Sequence, residues 1–176
     1  TVAEGKDFVL SATMKGMGAS MWPSTGLLVG TSTENYMRFD IIRNTNDGVF
    51  GLQVRSATGK ETISWFDKEP FTKWAKPFGE DGTKEFKLEL VYHNGVYFVF
   101  FNGELAAKYN ENDKVLAGET IAAQVGTGDR KLGVYAERQI TYTDWGYSAA
   151  TDDLNKYLSA TVTANGMKLT VNGKEV

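Results

Sequence analysis

Residues Phe86–Tyr109 read FKLELVYHNGVYFVFFNGELAAKY and carry the clearest structural signal of the chain. Two Asn-Gly pairs, Asn94-Gly95 and Asn102-Gly103, separate its apolar runs. Asn-Gly between such runs is the strongest short hairpin signal, because both residues adopt the positive φ of a tight hairpin turn. The middle run is apolar on both faces, so we expect a central strand that is covered on both sides. The stretch predicts three successive antiparallel strands: Phe86–Tyr92, Val96–Phe101 and Glu104–Tyr109.

The rest of the chain continues this pattern of short β-branched and aromatic runs between Gly, Asn and Asp residues. Apolar and polar residues alternate in Tyr36–Ile42, as they do in a half-buried strand. Helical signal is confined to one or two turns at Asp152–Leu158. About ten short strands with almost no helix predict an all-β, antiparallel sandwich or barrel. The other predicted strands are Phe8–Met14, Gly26–Thr31, Tyr36–Ile42, Val49–Arg55, Glu61–Phe66, Leu132–Glu137 and Gln139–Trp145.

Composition excludes several classes of function. The 176 residues suit one domain, or one domain plus a fragment, and the net charge of −3 argues against nucleic acid or an anionic membrane as the main partner. The chain has no cysteine and a single histidine, His93, which excludes disulfides, thiolate zinc sites and thiol catalysis. No stretch approaches the roughly 20 apolar residues of a membrane-spanning helix. Aromatic residues make up 12% of the chain, so the position of each one bears on function.

The character of the sequence changes after Ser148. We expect residues 149–159 to be a linker and residues 160–176, ATVTANGMKLTVNGKEV, to be a strand pair. An isolated strand pair is at best marginally stable. It is therefore either the start of a following domain, which we favour, or a hairpin that docks on the sandwich. Since neither a Met nor a signal peptide precedes Thr1, we expect the chain to be an excised domain or a processed product.

The run at Phe86–Tyr109 resembles a segment of the concanavalin A-like lectin/glucanase superfamily, which includes laminin-G-like domains. In that segment a strand, a turn and a second strand end in Asn-Gly or Asp-Gly before a short return strand. LGVYAERQITYTDWGYS, from Leu132 onward, is similar to the family's closing strands, and FVLSATMKG and TGLLVG are similar to its opening strands. The resemblance covers residues 1–148 and implies an antiparallel two-sheet β-sandwich, a concanavalin A-like jelly roll. It also implies one curved sheet, whose concave face binds carbohydrate in many members.

A glycoside hydrolase is the first alternative to a binding module. Retaining enzymes of the superfamily place two carboxylates about 5–5.5 Å apart, and their usual Glu-x-Asp-x-x-Glu or Glu-x-Asp-x-Glu run is missing here. Glu85 and Glu89 share a strand face, which leaves one carboxylate pair as an alternative. With one His and no Cys, nucleophile–base pairs have little support. We expect no enzyme activity, unless two carboxylates converge on the concave face.

The candidate site residues are aromatic and polar side chains that the core does not require. Flat aromatic rings cover the apolar faces of sugars, and a few fixed polar groups bind the hydroxyls. Because side chains alternate along a strand, several polar and aromatic residues lie on the face opposite the apolar one. They are Tyr36, Arg38, Asp40, Gln53, Arg55, Tyr135 and Glu137. The predicted carbohydrate-binding residues are Trp22, Tyr36, Arg38, Arg55, Trp74 and Tyr135. The alternative is that the charged residues form an ordinary solvated sheet face.

The four tryptophans have different surroundings in the sequence. Trp22 and Trp74 lie in loop segments, where we expect them to stack on a ligand; Trp74 alternatively pins a long loop to the sandwich. Trp65 shares strand parity with Ile63, which favours the core. Trp145 ends the last predicted strand, which is a structural position in the family that the chain resembles.

Two loops are rich in oxygen-bearing side chains, Asn44–Gly48 and Glu80–Gly82. Neither has the spaced carboxylates of a dedicated calcium loop, and turn chemistry explains both. We therefore expect no cofactor, with a structural calcium ion as the alternative.

The sequence therefore predicts a non-catalytic carbohydrate-binding module for a glucan-like polysaccharide such as starch or β-glucan. We expect it to belong to a multidomain bacterial protein that is extracellular or on the cell surface, because tethering to other domains gives such modules useful avidity. The expected partners are a glycan and those domains, with no nucleic acid and no membrane. The competing class is a cell-surface adhesion or assembly domain that binds protein.

Overall fold

The computed structural model describes residues 1–16, 23–137, 140–149, 153–154, 156–163, 166–171 and 174–175. These residues include thirteen β-strands, one α-helix of five residues and one 3-10 turn. The strands are β1 (Phe8–Lys15), β2 (Ser24–Gly30), β3 (Tyr36–Arg43), β4 (Phe50–Ser56), β5 (Glu61–Trp65), β6 (Phe86–His93), β7 (Val96–Phe101), β8 (Glu104–Asn110), β9 (Lys131–Ala136), β10 (Thr141–Ser148), β11 (Leu158–Thr163), β12 (Gly166–Val171) and β13 (Lys174–Glu175). The helix is α1 (Ile121–Val125), and the 3-10 turn is Thr72–Trp74.

Ten of the strands form two five-stranded sheets. The back sheet has the strand order β10-β1-β6-β7-β8, and the front sheet has the order β5-β4-β3-β2-β9. All neighbouring strands in the two sheets pair antiparallel. The prediction of an all-β, antiparallel jelly-roll sandwich is confirmed.

The two Asn-Gly turns form where the sequence predicts them. Asn94 and Asn102 have φ angles of 47° and 48°, and Gly95 and Gly103 have 79° and 81°. A two-residue hairpin turn needs this pair of left-handed conformations, which Asn and Gly adopt at the lowest cost. Strand β7 pairs with β6 on one side and β8 on the other, and five of its six residues are buried. The prediction of a central strand covered on both faces is confirmed.

The main core lies between the two sheets and is built from alternate residues of each strand. On β3 the side chains of Met37, Phe39 and Ile41 are fully buried in this core. Leu52 and Val54 of β4 are buried in the same way. The apolar faces predicted for these two strands are the core faces, so the polar faces point away from the core.

A smaller apolar cluster covers the outer face of the back sheet. Phe100 of β7 is one of its buried members, and Leu154 and Tyr157 pack against it. The Tyr157 ring meets Phe100 edge-on, with centroids 5.3 Å apart, and its hydroxyl donates a 2.5 Å hydrogen bond to Glu89 Oε1. Part of the predicted linker, residues 149–159, therefore packs on the sandwich.

The last three strands form a sheet of their own. Strands β11, β12 and β13 pair with one another in antiparallel ladders. Strand β11 begins at Leu158, inside the predicted linker. Among the described residues, these ladders do not continue into the front or back sheet. The assignment of residues 160–176 to a following domain stays a prediction.

Candidate binding pocket on the front sheet

The outer face of the front sheet brings together polar residues from four strands. Strand pairing aligns Tyr135 of β9, Gly26 of β2, Asp40 of β3 and Gln53 of β4 in one row. Residues that pair across antiparallel strands project to the same face of a sheet. The row therefore belongs to one surface, on the side opposite the core.

A pocket of about 380 Å³ opens on this surface. Four of the six predicted binding residues line it: Tyr36, Arg38, Arg55 and Tyr135. Its other lining residues are Ser24, Ile42, Gln53, Ser56, Ala57, Glu61, Ile63 and Glu137. The volume lies in the usual range of small-ligand sites. The front sheet thus presents a polar cleft that includes two tyrosines.

Glycine at position 26 of this row lets strands β2 and β3 lie close together. A Cβ atom at Gly26 would lie 2.1 Å from the carbonyl oxygen of Phe39 and 2.7 Å from the Cα of Asp40. No other residue fits there unless strand β3 moves. Strand β2 lies between β3 and β9, and Arg38 of β3 extends across it to the ring of Tyr135.

Arg38 forms one wall of the pocket and is held from two sides. Its Cζ lies 4.0 Å from the centroid of the Tyr135 ring, which is a cation–π contact. Its Nε lies 3.2 Å from Asp40 Oδ2. With only 8% of its surface exposed, the arginine has little freedom to rotate. The ring and the carboxyl group together fix the orientation of the guanidinium.

Asp40 lies fully buried beside this arginine. Neither of its carboxyl oxygens makes a hydrogen bond within the described residues, and the same is true of Arg38 Nε. The loss of surrounding water raises the pKa of Asp40 to about 7; Arg38 and Arg55 act to lower it, and Glu137 acts to raise it. A buried carboxyl group without hydrogen-bond partners is costly, and its burial favours the neutral form of Asp40.

Polar groups at two sides of the pocket are oriented by their own hydrogen bonds. On the β5 side, Glu61 Oε2 accepts hydrogen bonds from Gln53 Nε2 at 2.8 Å and from Arg55 Nη1 at 2.7 Å. On the β9 side, Ser24 Oγ donates to Glu137 Oε2 at 3.1 Å. Strand parity had placed Gln53 and Glu137 on this face without assigning them to the site. Glu61 becomes recognisable only through the pairing of β4 with β5.

Trp74 does not line the pocket. It is 8% exposed, and its ring meets Phe101 edge-on with centroids 5.2 Å apart. This is the position that the loop-pinning alternative predicts. Trp22, the other tryptophan predicted to stack on a ligand, lies outside the described residues.

The other two tryptophans are more exposed than Trp74. The prediction that Trp65 lies in the core is wrong: it pairs with Gly51 on the outer face of the front sheet and is half-buried. A Cβ atom at Gly51 would lie 2.9 Å from Trp65 Cε3, so the indole covers the glycine. Ile63, which shares its parity, lines the pocket. Trp145, expected at a structural position, is 52% exposed on strand β10.

The carboxylate pair that the sequence left as an alternative lies away from the pocket. Glu89 is on the back sheet, where its Oε1 lies 2.6 Å from Lys87 Nζ, and Glu85 immediately precedes the same strand. The carboxylates that line the pocket are Glu61 and Glu137. Within the described ranges, no three His, Cys, Asp or Glu side chains cluster as the ligands of a metal ion would. No helix in that part of the chain has the length and apolar character needed to cross a membrane.

Comparison with known proteins finds similar structures but no similar sequence. No family model matches the chain, and no curated protein sequence matches it. The chain is similar in structure to a functionally unknown protein from Saccharomyces cerevisiae, with a TM-score of 0.54 and 18% identity, covering 85% of this chain and 72% of that one. It is also similar to sheep galectin-11, with a TM-score of 0.48 and 16% identity over 84% of this chain and 93% of the galectin. A third similar structure is a xylan β-1,4-xylosidase from Bacillus halodurans, with a TM-score of 0.49 and 11% identity over 82% of this chain and 27% of the enzyme. At these identities the likeness shows the fold alone, an antiparallel two-sheet β-sandwich.

Proposed function

We propose that this protein binds a carbohydrate in the front-sheet pocket and does not cleave it. The observation that carries the proposal is the Arg38–Tyr135 stack at the wall of a pocket whose polar groups are already oriented. Sugars present apolar ring faces and a periphery of hydroxyls. A pocket that recognises them needs aromatic surface together with donors and acceptors at fixed positions.

The pocket supplies both kinds of contact from rigid strands. Tyr36 and Tyr135 contribute aromatic side chains from β3 and β9. Gln53, Arg55 and Glu61 form a linked set of donors and acceptors at one side. Groups that are held in place before the ligand arrives lose less conformational entropy on binding, which favours affinity.

The finer form of the proposal is a module for a glucan-like polysaccharide such as starch or β-glucan. The pocket opens on a sheet face, where a chain of sugars can extend past it on either side. A single pocket of this kind binds weakly, so we place the module in an extracellular or cell-surface multidomain bacterial protein, where tethering raises the effective concentration.

Tyr135→Ala tests the proposal directly. Removing the ring takes away aromatic surface and also the support for the Arg38 guanidinium, since the two stack at 4.0 Å. We expect the affinity for the bound glycan to fall about 10- to 30-fold, which is the usual cost of truncating an aromatic anchor. The measurement is calorimetry against a polysaccharide that a glycan array and affinity gels have first identified.

Tyr147→Ala is the matched control for this variant. Tyr147 is an exposed tyrosine, 49% accessible, on strand β10 of the back sheet, and it does not line the front-sheet pocket. We expect its replacement to leave glycan affinity unchanged. Equal losses in the two variants, or no retention of wild-type protein on any glycan, would contradict the proposal.

A glycoside hydrolase is the second candidate, because Glu61 and Glu137 both line the pocket. Retaining glycosidases require one carboxyl group as acid and one carboxylate as nucleophile. Asp40 has the raised pKa of a general acid, but it is fully buried beside Arg38 and does not reach a sugar in the pocket. This burial favours binding without cleavage.

We therefore expect no release of reducing sugar when the protein is incubated with starch, β-glucan or xylan. Glu61→Gln and Glu137→Gln serve as controls, because each removes one carboxylate of the pocket. Sugar release by the wild type that either variant abolishes would replace the binding proposal with a hydrolase.

A further inference from the structure

We infer that the front-sheet pocket selects neutral saccharides and rejects those that carry carboxylate or sulfate groups. The inference rests on the proposed function and names the class of glycan that the site takes. Its basis is the balance of charge among the groups that line the pocket or lie directly beneath it.

The positive charges of the pocket are already matched by carboxyl groups. Among the described lining residues, two are arginines and none is a lysine. Arg55 Nη1 lies 2.7 Å from Glu61 Oε2, and Arg38 Nε lies 3.2 Å from Asp40 Oδ2. A carboxylate on a sugar that pairs with the remaining N–H groups of either arginine would lie close to the carboxyl group which that arginine already holds.

The negative charges equal or exceed the positive ones. Glu61 and Glu137 line the pocket and balance the two arginines. Asp40 lies beneath them, and its pKa of about 7 means that at neutral pH it is partly ionised. The sum over these groups is therefore zero or negative and never positive. An anionic sugar gains no net attraction here, and it has to lie close to at least one carboxylate.

A neutral sugar uses the same groups without displacing them. Each carboxylate oxygen accepts more than one hydrogen bond, so Glu61 has capacity for a hydroxyl while it keeps Arg55 and Gln53. A hydroxyl is both donor and acceptor, and it therefore suits a rim that carries both kinds of group. The pairing that excludes anions leaves hydroxyl recognition intact.

Matched oligosaccharides that differ at C6, where one member has a hydroxymethyl group or a methyl ester and the other a carboxylate, test the inference. The probes are hexamers of α-1,4-glucan and α-1,4-glucuronan, of β-1,4-glucan and β-1,4-glucuronan, of mannan and mannuronan, and of methyl-esterified and free galacturonan. Binding is measured by calorimetry at pH 8 and low salt, where screening is weak. We expect the neutral member of at least one pair to bind. Its acidic counterpart should have an affinity at least about tenfold lower. Equal or tighter binding of the acidic member overturns the inference and leaves the proposed function standing, whereas binding of neither member in any pair overturns both.

Glu61→Gln asks whether charge is the cause of the selection. The variant removes one carboxylate and frees Arg55, so we expect the acidic-to-neutral affinity ratio to rise about tenfold. Glu80→Gln is the matched control, because Glu80 lies in an exposed ion pair with Lys76 outside the pocket. A ratio that stays unchanged in Glu61→Gln, or that rises equally in Glu80→Gln, overturns the inference.

Discussion

Replacing Trp74 by alanine is expected to lower the free energy of unfolding by about 3–5 kcal/mol. The side chain is 8% exposed, and its ring centroid lies 5.2 Å from Phe101, 6.0 Å from Phe71 and 6.4 Å from Phe66. Removal of the indole leaves a cavity that the surrounding strands fill only in part, so the transfer and cavity costs add. Urea unfolding followed by circular dichroism measures the change.

Trp145→Ala is the matched control, because the Trp145 side chain is 52% exposed. We expect this substitution to change the free energy of unfolding by about 0.5 kcal/mol or less. Glycan affinity of the folded Trp74→Ala protein should equal that of the wild type, because Trp74 does not line the pocket. A Trp74→Ala variant with normal stability and lost binding would show that the tryptophan contacts the ligand after all.

The wild-type protein is expected to lose stability as the pH rises, because Asp40 ionises. Replacing Asp40 by asparagine should remove this loss. Burial raises the pKa of this carboxyl group from 3.8 to about 7 in the folded protein. Between these values the folded state binds the proton more tightly than the unfolded state does, so the free energy of unfolding falls with increasing pH. The penalty is absent below about pH 4 and complete above pH 7. Since each unit of pKa shift corresponds to about 1.4 kcal/mol, the full penalty approaches roughly 4 kcal/mol.

Urea unfolding of the wild type and Asp40→Asn between pH 4 and pH 8.5 measures this effect. The difference in free energy of unfolding, variant minus wild type, should rise with pH, because titrations common to both proteins cancel. Its value at pH 4 gives the pH-independent cost of the substitution, including the lost contact with Arg38. A difference that is flat or falls with pH would mean that Asp40 keeps an ordinary carboxylate in the folded protein.

Strand positions and the central hairpin are predictable from the sequence because they depend on local signals. The two Asn-Gly pairs place both turns, and β7 begins and ends at the predicted residues Val96 and Phe101. Strand parity also separates Met37, Phe39 and Ile41 from the polar face of the same strand. Each of these features involves residues that are neighbours, or next-but-one neighbours, along the chain.

The tryptophans show that local sequence signals do not predict the burial of a side chain. Trp74 lies in a loop segment, yet it is buried, because Phe101 of the distant strand β7 packs on it in addition to its sequence neighbours Phe66 and Phe71. Trp65 has apolar parity with Ile63, yet both lie on the outer face, because Trp65 pairs with Gly51 and Ile63 pairs with Gln53. Burial of an aromatic side chain depends on what the rest of the fold places over it, which no window of sequence contains.

The candidate site divides in the same way. The residue order along each strand is sufficient to show that Tyr36, Arg38 and Tyr135 face away from the core, because side chains alternate with a period of two. Their meeting in one pocket depends on the pairing of β2 with both β3 and β9, which are far apart in sequence. The burial of Asp40, whose carboxyl oxygens accept no hydrogen bond within the described residues, also arises only there, because the surrounding strands exclude water from its carboxyl group. Local chemistry thus sets the fold class and the polarity of each strand face, whereas long-range strand pairing and desolvation create the pocket and its charge balance.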